Sequence, residues 1–376
     1  MRLIRHLLSR LTEDLLLLAL LLALPLLLWF SPSSPAALLH LVDWTTITAL
    51  AALMLLSRGL EDSGYLTRFA AWLLRQEHSQ RQLAVVLVVF AALLSAVITN
   101  DVALFVLVPI CLSLARLSGL PVGRLIIFLA LAVNAGSSLS PIGNPQNLLL
   151  WQASGLGFLQ FLLMMLPLAL TLTLLLMLLS YLAFPSNRLS LPASSVQPQQ
   201  RKELFRWSLL GYLPVIAAIE LGYAPAAAGL VLVSYWLKAK NVVLGIDWWL
   251  LLIFALMFID LGLLAQLPLM QQLATSSLKL PGGAFTAGAL LSQLLSNVPA
   301  AIFLQNFTDD WRALSWGVSV GGFGLAIGSL ANLIALRLAK QPGLWREFHA
   351  WSIPLFFISA LTGALLLAIA NGCCVW

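Results

Sequence analysis

Two polar stretches with almost the same wording interrupt an otherwise apolar chain. The first runs Ser95-Ala96-Val97-Ile98-Thr99-Asn100-Asp101 and continues later as Asn134 through Asn147, with Pro141-Ile142-Gly143-Asn144-Pro145-Gln146-Asn147 at its end. The second runs Ser292-Gln293-Leu294-Leu295-Ser296-Asn297-Val298-Pro299 and continues as Gly321 through Asn332. Hydrocarbon gives backbone N–H and C=O groups no water to bond. Broken helices therefore persist in a membrane only when buried in protein or lining a cavity. A matched pair of such breaks in two halves of a chain points to a transport site near the membrane midplane.

The membrane reading rests on composition. Of 376 residues, 61% are hydrophobic and 9% are charged, against about 25% charged in a soluble domain. Apolar runs near 20 residues recur, which suits membrane helices and not the short alternating strands of a barrel. The expected fold is an all-α polytopic membrane protein. The net charge of +6 is dispersed, so no nucleic-acid partner is expected and the basic residues serve to assign sides. The three cysteines, Cys111, Cys373 and Cys374, form no Cys-x-x-Cys and read as small apolar fillers. No cofactor or resident metal is expected, apart from Na+ or H+ as a coupling ion.

Lys and Arg favour the cytoplasmic side. Arg2, Arg5 and Arg10 put the N-terminus inside, ahead of a first helix over Leu15–Phe30 within residues 1–40. That helix has no small-x-small cleavage site after it and is read as retained. A loop over Ser31–Asp43 is placed outside. The first repeat, 41–184, holds a crossing at Trp44–Ser57, an interfacial helix within Leu60–Arg75, a re-entrant hairpin over 83–115 turning at Thr99–Asp101, a broken helix over 125–151 and a crossing at Phe158–Phe184. A Pro-rich cytoplasmic linker occupies 185–206, and two connecting helices occupy 207–240. The second repeat, 241–376, holds a crossing at Trp248–Leu264, an amphipathic stretch at Gln266–Lys279, a hairpin over 285–307 turning at Ser296–Pro299, a broken helix over 313–337 and a last crossing from Ile353. The expectation is about nine crossings, two re-entrant hairpins and two broken helices, with the C-terminus outside.

The two halves align by small offsets. Ala52-Leu53-Met54 matches Ala255-Leu256-Met257, Gly59 matches Gly262, and Ser95 matches Ser292. Asn100 matches Asn297, Ile142-Gly143 matches Ile327-Gly328, and Asn147 matches Asn332. The charge pattern places the ends of the first hairpin inside and those of the second outside, so the repeats are expected to be inverted. In such a pair, the hairpin tips and unwound helices meet. Freed carbonyls and Asn or Ser side chains there suit a cation, and half-helix N-termini suit an anion. The candidate site residues are Thr99, Asn100, Asp101, Asn134, Ser137, Ser138, Gly143, Asn144, Ser296, Asn297, Gly322, Gly328, Ser329 and Asn332. Asp101 and Asp260 are the candidates for proton or cation coupling, because a carboxylate within a membrane segment is costly to keep without a task.

The motifs Thr99-Asn100-Asp101 with Pro109-Ile110, Ser137 through Asn147, Ser296-Asn297-Val298-Pro299 and Ile327 through Asn332 resemble the ion transporter superfamily. That superfamily includes arsenite permeases, D-type sodium/proton antiporters, and citrate and divalent-anion symporters. The likeness spans roughly Leu41 to the end and is greatest to bacterial arsenite-permease-like inner-membrane transporters. Symporters of the superfamily carry Ser-Asn-Thr at the hairpin tips. Here the third position is Asp101 in one tip and Val298 in the other. The acidic tip looks more like the permease and antiporter branches. The resemblance implies a scaffold that often forms a homodimer, a moving transport domain, and a multi-pass place in the bacterial inner membrane among its lipids.

The expected function is secondary active transport of a small inorganic or organic anion, coupled to Na+ or H+. Sodium/proton antiport is the alternative. An intramembrane enzyme is disfavoured, since all four histidines lie near segment ends and no His-Glu-x-x-His occurs. A primary pump is disfavoured because there is no P-loop, and a channel ranks below a carrier.

Overall fold

In a computed structural model of the chain, residues 15–31, 33–75, 79–118, 121–187, 200–339, 341 and 343–372 are described. The basic N-terminus with Arg2, Arg5 and Arg10, most of the Pro-rich linker, and Cys373 and Cys374 lie outside them. Every regular element among the described residues is a helix. Among the described residues, four helices are long and apolar enough to cross a membrane: Gln80–Val97, Phe158–Ala183, Trp248–Gln266 and the Leu344–Ala370 stretch.

The chain starts with α1 (Leu15–Phe30) and α2 (Pro35–Leu41), then α3 (Trp44–Asp62) and α4 (Tyr65–Arg75). Helix α2 falls where a loop was expected. Its signal is local: Ser34 accepts a hydrogen bond from the Ala37 N–H at 3.2 Å, and Pro35 occupies the first helical position, where it costs no hydrogen bond. The hairpin follows as α5 (Gln80–Val97) and α6 (Asn100–Ser118). Both arms are longer than the sequence suggests, and α5 alone is long enough to span. The turn contains just Ile98 and Thr99. Asn100 and Asp101 belong to the first turn of α6, where a carboxylate meets the positive end of the helix dipole.

The first broken helix consists of α7 (Val122–Ser137) and α8 (Pro145–Ser154), and α9 (Phe158–Ala183) closes the first half. Two connecting helices, α10 (Lys202–Glu220) and α11 (Ala224–Lys238), and the short α12 (Lys240–Gly245) come next. Lys202 to Arg206, expected in the linker, are therefore helical. The second half repeats the order of the first: α13 (Trp248–Gln266), α14 (Pro268–Ser277), the hairpin α15 (Gly283–Leu295) and α16 (Asn297–Leu304), the broken pair α17 (Trp311–Val320) and α18 (Leu330–Ala339), and α19 (Leu344–Gly372). Here too the turn is tighter than expected. Ser296 alone separates the arms, at φ 79°, and Asn297 to Pro299 open α16 because proline is tolerated in a first helical turn.

Packing repeats the order as well. Within each half, the first hairpin arm lies along the first limb of the broken helix, α5 on α7 and α15 on α17. The closing helices α9 and α19 each pack on that same pair of their own half. The second limbs reach across the molecule. Helix α8 meets α16 and α17, and α18 meets α6 and α7. Helices α10 and α11 lie outside this assembly and pack on α3.

Where lipid tails are as apolar as leucine, helices associate by close packing, and small residues allow it. Gly136 is the sharpest case, because a Cβ there would overlap the Ala92 carbonyl of α5. Gly136→Val is expected to destabilise the protein by about 1–3 kcal/mol, read as a lower thermal unfolding midpoint in detergent. Gly229→Val, at a position with open space around it, is the control. Equal midpoints for the two would disprove the contact.

Candidate functional site

Each break needs partners for the carbonyls and N–H groups it frees, and side chains supply them. In the first, Asn144 caps α8: its Oδ1 accepts the Asn147 N–H at 2.8 Å, and its Nδ2 donates to the Ser137 carbonyl at 2.9 Å. Asn147 Nδ2 donates to the Ser138 carbonyl at 2.8 Å. The Ser138 hydroxyl turns back to the Ala135 carbonyl at 2.7 Å. The second break is held from the hairpin. Gln293 Nε2 donates to the carbonyls of Gly321 at 2.8 Å and Phe323 at 3.0 Å, while its Oε1 accepts the Leu325 N–H at 2.8 Å. Gly328 backs onto the Gly321 carbonyl, where a Cβ would sit 2.5 Å from the oxygen.

One network joins the two breaks. Asn134 of α7 donates to Asn332 Oδ1 at 2.8 Å and to the Gly322 carbonyl at 3.3 Å. It accepts from the Ser329 hydroxyl at 2.8 Å, and Asn332 donates to the same Gly322 carbonyl at 2.9 Å. All four residues are buried. The first hairpin is tied in by its backbone, with the Asn100 N–H donating to the Gly143 carbonyl at 2.9 Å.

Beside this network lies a cavity of about 30 Å³. It is lined by Thr99, Asn100 and Asp101 of the first tip, Asn297 and Val298 of the second, Pro145 and Gln146 opening α8, and Ser329, Leu330 and Ala331 opening α18. Leu50, Met54, Leu250, Phe254 and Ile334 complete the wall. The N-termini of α6, α8, α16 and α18 thus converge on one point. Met54 and Asp101 also line a wider vestibule of about 490 Å³, with Arg58, Glu61 and Asp247 around it. Arg58 is paired there with Asp62 at 2.9 Å and Glu61 at 3.6 Å.

Of the sequence candidates, Thr99, Asn100, Asp101, Asn297 and Ser329 line the cavity. Asn134, Gly322 and Asn332 sit behind it in the network. Ser137, Ser138, Gly143, Asn144, Ser296 and Gly328 build the turns and do not line it. Asp260 is 3% exposed and lies about 9 Å beyond Phe254 along α13, away from the cavity. Among the described residues, neither of its carboxylate oxygens has a hydrogen-bond partner. The sequence reading missed Gln146, whose buried Oε1 is unpartnered, and Gln293. Both stand within the two polar stretches of the sequence.

The family model described as citrate transporter matches residues 7–321. The chain belongs to the citrate transporter family. That family lies within the ion transporter superfamily that the motifs resemble. The chain is 46% identical to the inner membrane protein YbiR of Escherichia coli (strain K12), over 91% of this chain and 92% of that one. It is 31% identical to the uncharacterized transporter MJ0456 of Methanocaldococcus jannaschii, over 84% and 86%. A 136-residue stretch is 29% identical to a Dictyostelium discoideum protein bearing the transporter name arsB, over 36% of this chain and 24% of that one. Family membership and apolar helices together make this a membrane-embedded transporter.

Hydrogen bonds between membrane helices contribute about 0.6 kcal/mol on average and up to about 1.7. Asn134→Ala and Ser329→Ala are each expected to lower stability in detergent. The double variant should lose less than the sum, with a coupling near 1 kcal/mol. Strict additivity would show that the bond across the halves contributes nothing.

Proposed function

We propose that the protein is a secondary active transporter that binds a small inorganic or organic anion between the hairpin tips and couples its movement to Na+ or H+. The observation that carries this reading is the convergence of four helix N-termini on one cavity. Each N-terminus carries roughly half a positive charge. Together they favour negative charge where no Lys or Arg stands. Asn100, Asn297 and Gln146 add neutral amides, which can donate to an anion's oxygens.

Asp101 explains the coupling in this reading. Its carboxylate shares the cavity and repels an incoming anion until a proton or Na+ offsets it. Cation and anion therefore bind better together than apart, which is the thermodynamic content of symport. A cavity of about 30 Å³ holds about one or two waters. The tips must part for any polyatomic anion to enter, and the vestibule beyond Asp101 is the route. The matching succession of elements in the two halves supports inverted repeats and alternating access.

One observation favours the antiport alternative. Glu61, Asp101 and Asp247 outnumber Arg58 around the vestibule, and such a mouth attracts cations. Proteoliposomes separate the two readings. Imposed Na+ or proton gradients are expected to drive uptake of a labelled anion from a panel including citrate and arsenite. Sodium entry that expels protons without anion flux would establish antiport instead. Asn100→Ala and Asn297→Ala are each expected to cut coupled flux at least tenfold while the unfolding midpoint holds, and full activity in both would remove the tips from the site. Asp101→Asn is expected to flatten the pH or sodium dependence of uptake. An unaltered dependence would exclude Asp101 from coupling.

A further inference from the structure

A concavity wider than the one at the tips lies elsewhere. Helices α10 and α11 both pack on α3, and they border an open groove of about 1050 Å³ that Leu56 of α3 also lines. Small and aliphatic residues line its length, among them Gly211, Ala218, Ala226, Ala227, Leu230 and Val231. Because the two helices are antiparallel, the start of α10 and the end of α11 share one mouth. Arg201, Lys238 and Lys240 gather there, with Glu203 as the one carboxylate. The opposite mouth, near Ala218 and Tyr223, has no Lys or Arg.

The basic mouth is partly organised. Lys238 Nζ stands 3.7 Å from the centre of the Trp207 ring, and Lys240 Nζ stands 4.6 Å from that of Trp236. Indoles at this level mark the membrane–water interface, and cation–π contacts hold the ammonium groups there. With 19 residues in α10, the groove runs close to the thickness of the hydrocarbon core. An apolar trough that ends in fixed cations at the interface matches acyl chains ending in a phosphate. We propose that this groove is a binding site for an anionic glycerophospholipid, its chains between α10 and α11 and its phosphate against Lys238, Lys240 and Arg201.

Charge complementarity selects this occupant over a second copy of the chain. A two-fold axis along the membrane normal sets each basic mouth against its own image, and facing like charges oppose that pairing. The inference does not depend on the transported ion.

Full-length protein in detergent tests it by native mass spectrometry and thermal unfolding, with phosphatidylglycerol and phosphatidylcholine added in turn. Phosphatidylglycerol is expected to stay bound and raise the unfolding midpoint, and phosphatidylcholine is expected to do neither. The K238Q/K240Q double variant should bind phosphatidylglycerol at least about tenfold more weakly. Ala226→Trp fills the groove, keeps the charges and should also lose the lipid, with an unchanged midpoint in lipid-free detergent. Equal retention of both lipids would overturn the proposal, as would full phosphatidylglycerol binding by K238Q/K240Q or A226W. Efficient disulfide cross-linking of Ala226→Cys into a dimer would overturn it too, by placing a second copy in the groove.

Discussion

Everything in this protein depends on how it satisfies two interrupted helices in a medium without water. An unbonded backbone group in hydrocarbon costs several kcal/mol, and α7–α8 and α17–α18 each free several. The answers differ between halves. Asn144 and Asn147 bridge the first break from within, as an N-cap and a carbonyl clamp. Gln293 bridges the second from the neighbouring hairpin arm. Both solutions require the first arm of the hairpin to lie hard against the first limb of the broken helix. Gly136 against Ala92 and Gly321 against Ser292 provide that closeness at matching places.

Once the breaks are stable, the electrostatics follow. A helix that restarts after a break presents a fresh N-terminus, and a hairpin tip presents another. Two repeats of one pattern bring four such ends together. The same geometry explains why Asp101 is tolerated: it stands on the first turn of α6, where the dipole favours its charge. The partner tip has Val298 at the matching place. The two halves therefore share a backbone plan but not a charge plan, and the carboxylate at the cavity comes from one tip alone.

Much of this was legible in the sequence, because membrane burial makes every polar cluster conspicuous. The order of elements, the position of both breaks and the pairing of Asn100 with Asn297 follow from Gly, Ser, Asn and Pro set among leucines. The boundaries were less legible. Asn100–Asp101 and Asn297–Pro299 read as turn residues, yet they are also what a helix start requires, and periodicity cannot tell a turn from the cap that ends it. The sorting of candidates was not legible at all. Ser137, Ser138 and Asn144 share the chemistry of Asn100 and Ser329. Only the path of the backbone decides which hydroxyls and amides are consumed in holding the break and which face the cavity.

The bonds are also unevenly distributed between the site and its support. The first tip is bound to the first break by a backbone hydrogen bond of 2.9 Å, and the breaks are bound to each other through Asn134. Toward α3, the tip has one long contact, the Thr99 N–H at 3.5 Å from the Ser57 hydroxyl. That hydroxyl is already paired with Tyr212 of α10 at 2.7 Å. Ser57 therefore loses little if the tip departs, because its stronger partner remains in place. The hairpins and breaks are knitted into one body, and the α3–α10–α11 support is knitted into another by Ser57–Tyr212 and Ser208–Tyr235. Under the proposed alternating access, one part moves against another without exposing unpaired backbone to lipid. Among the described residues, a seam with so few hydrogen bonds is where such motion costs least.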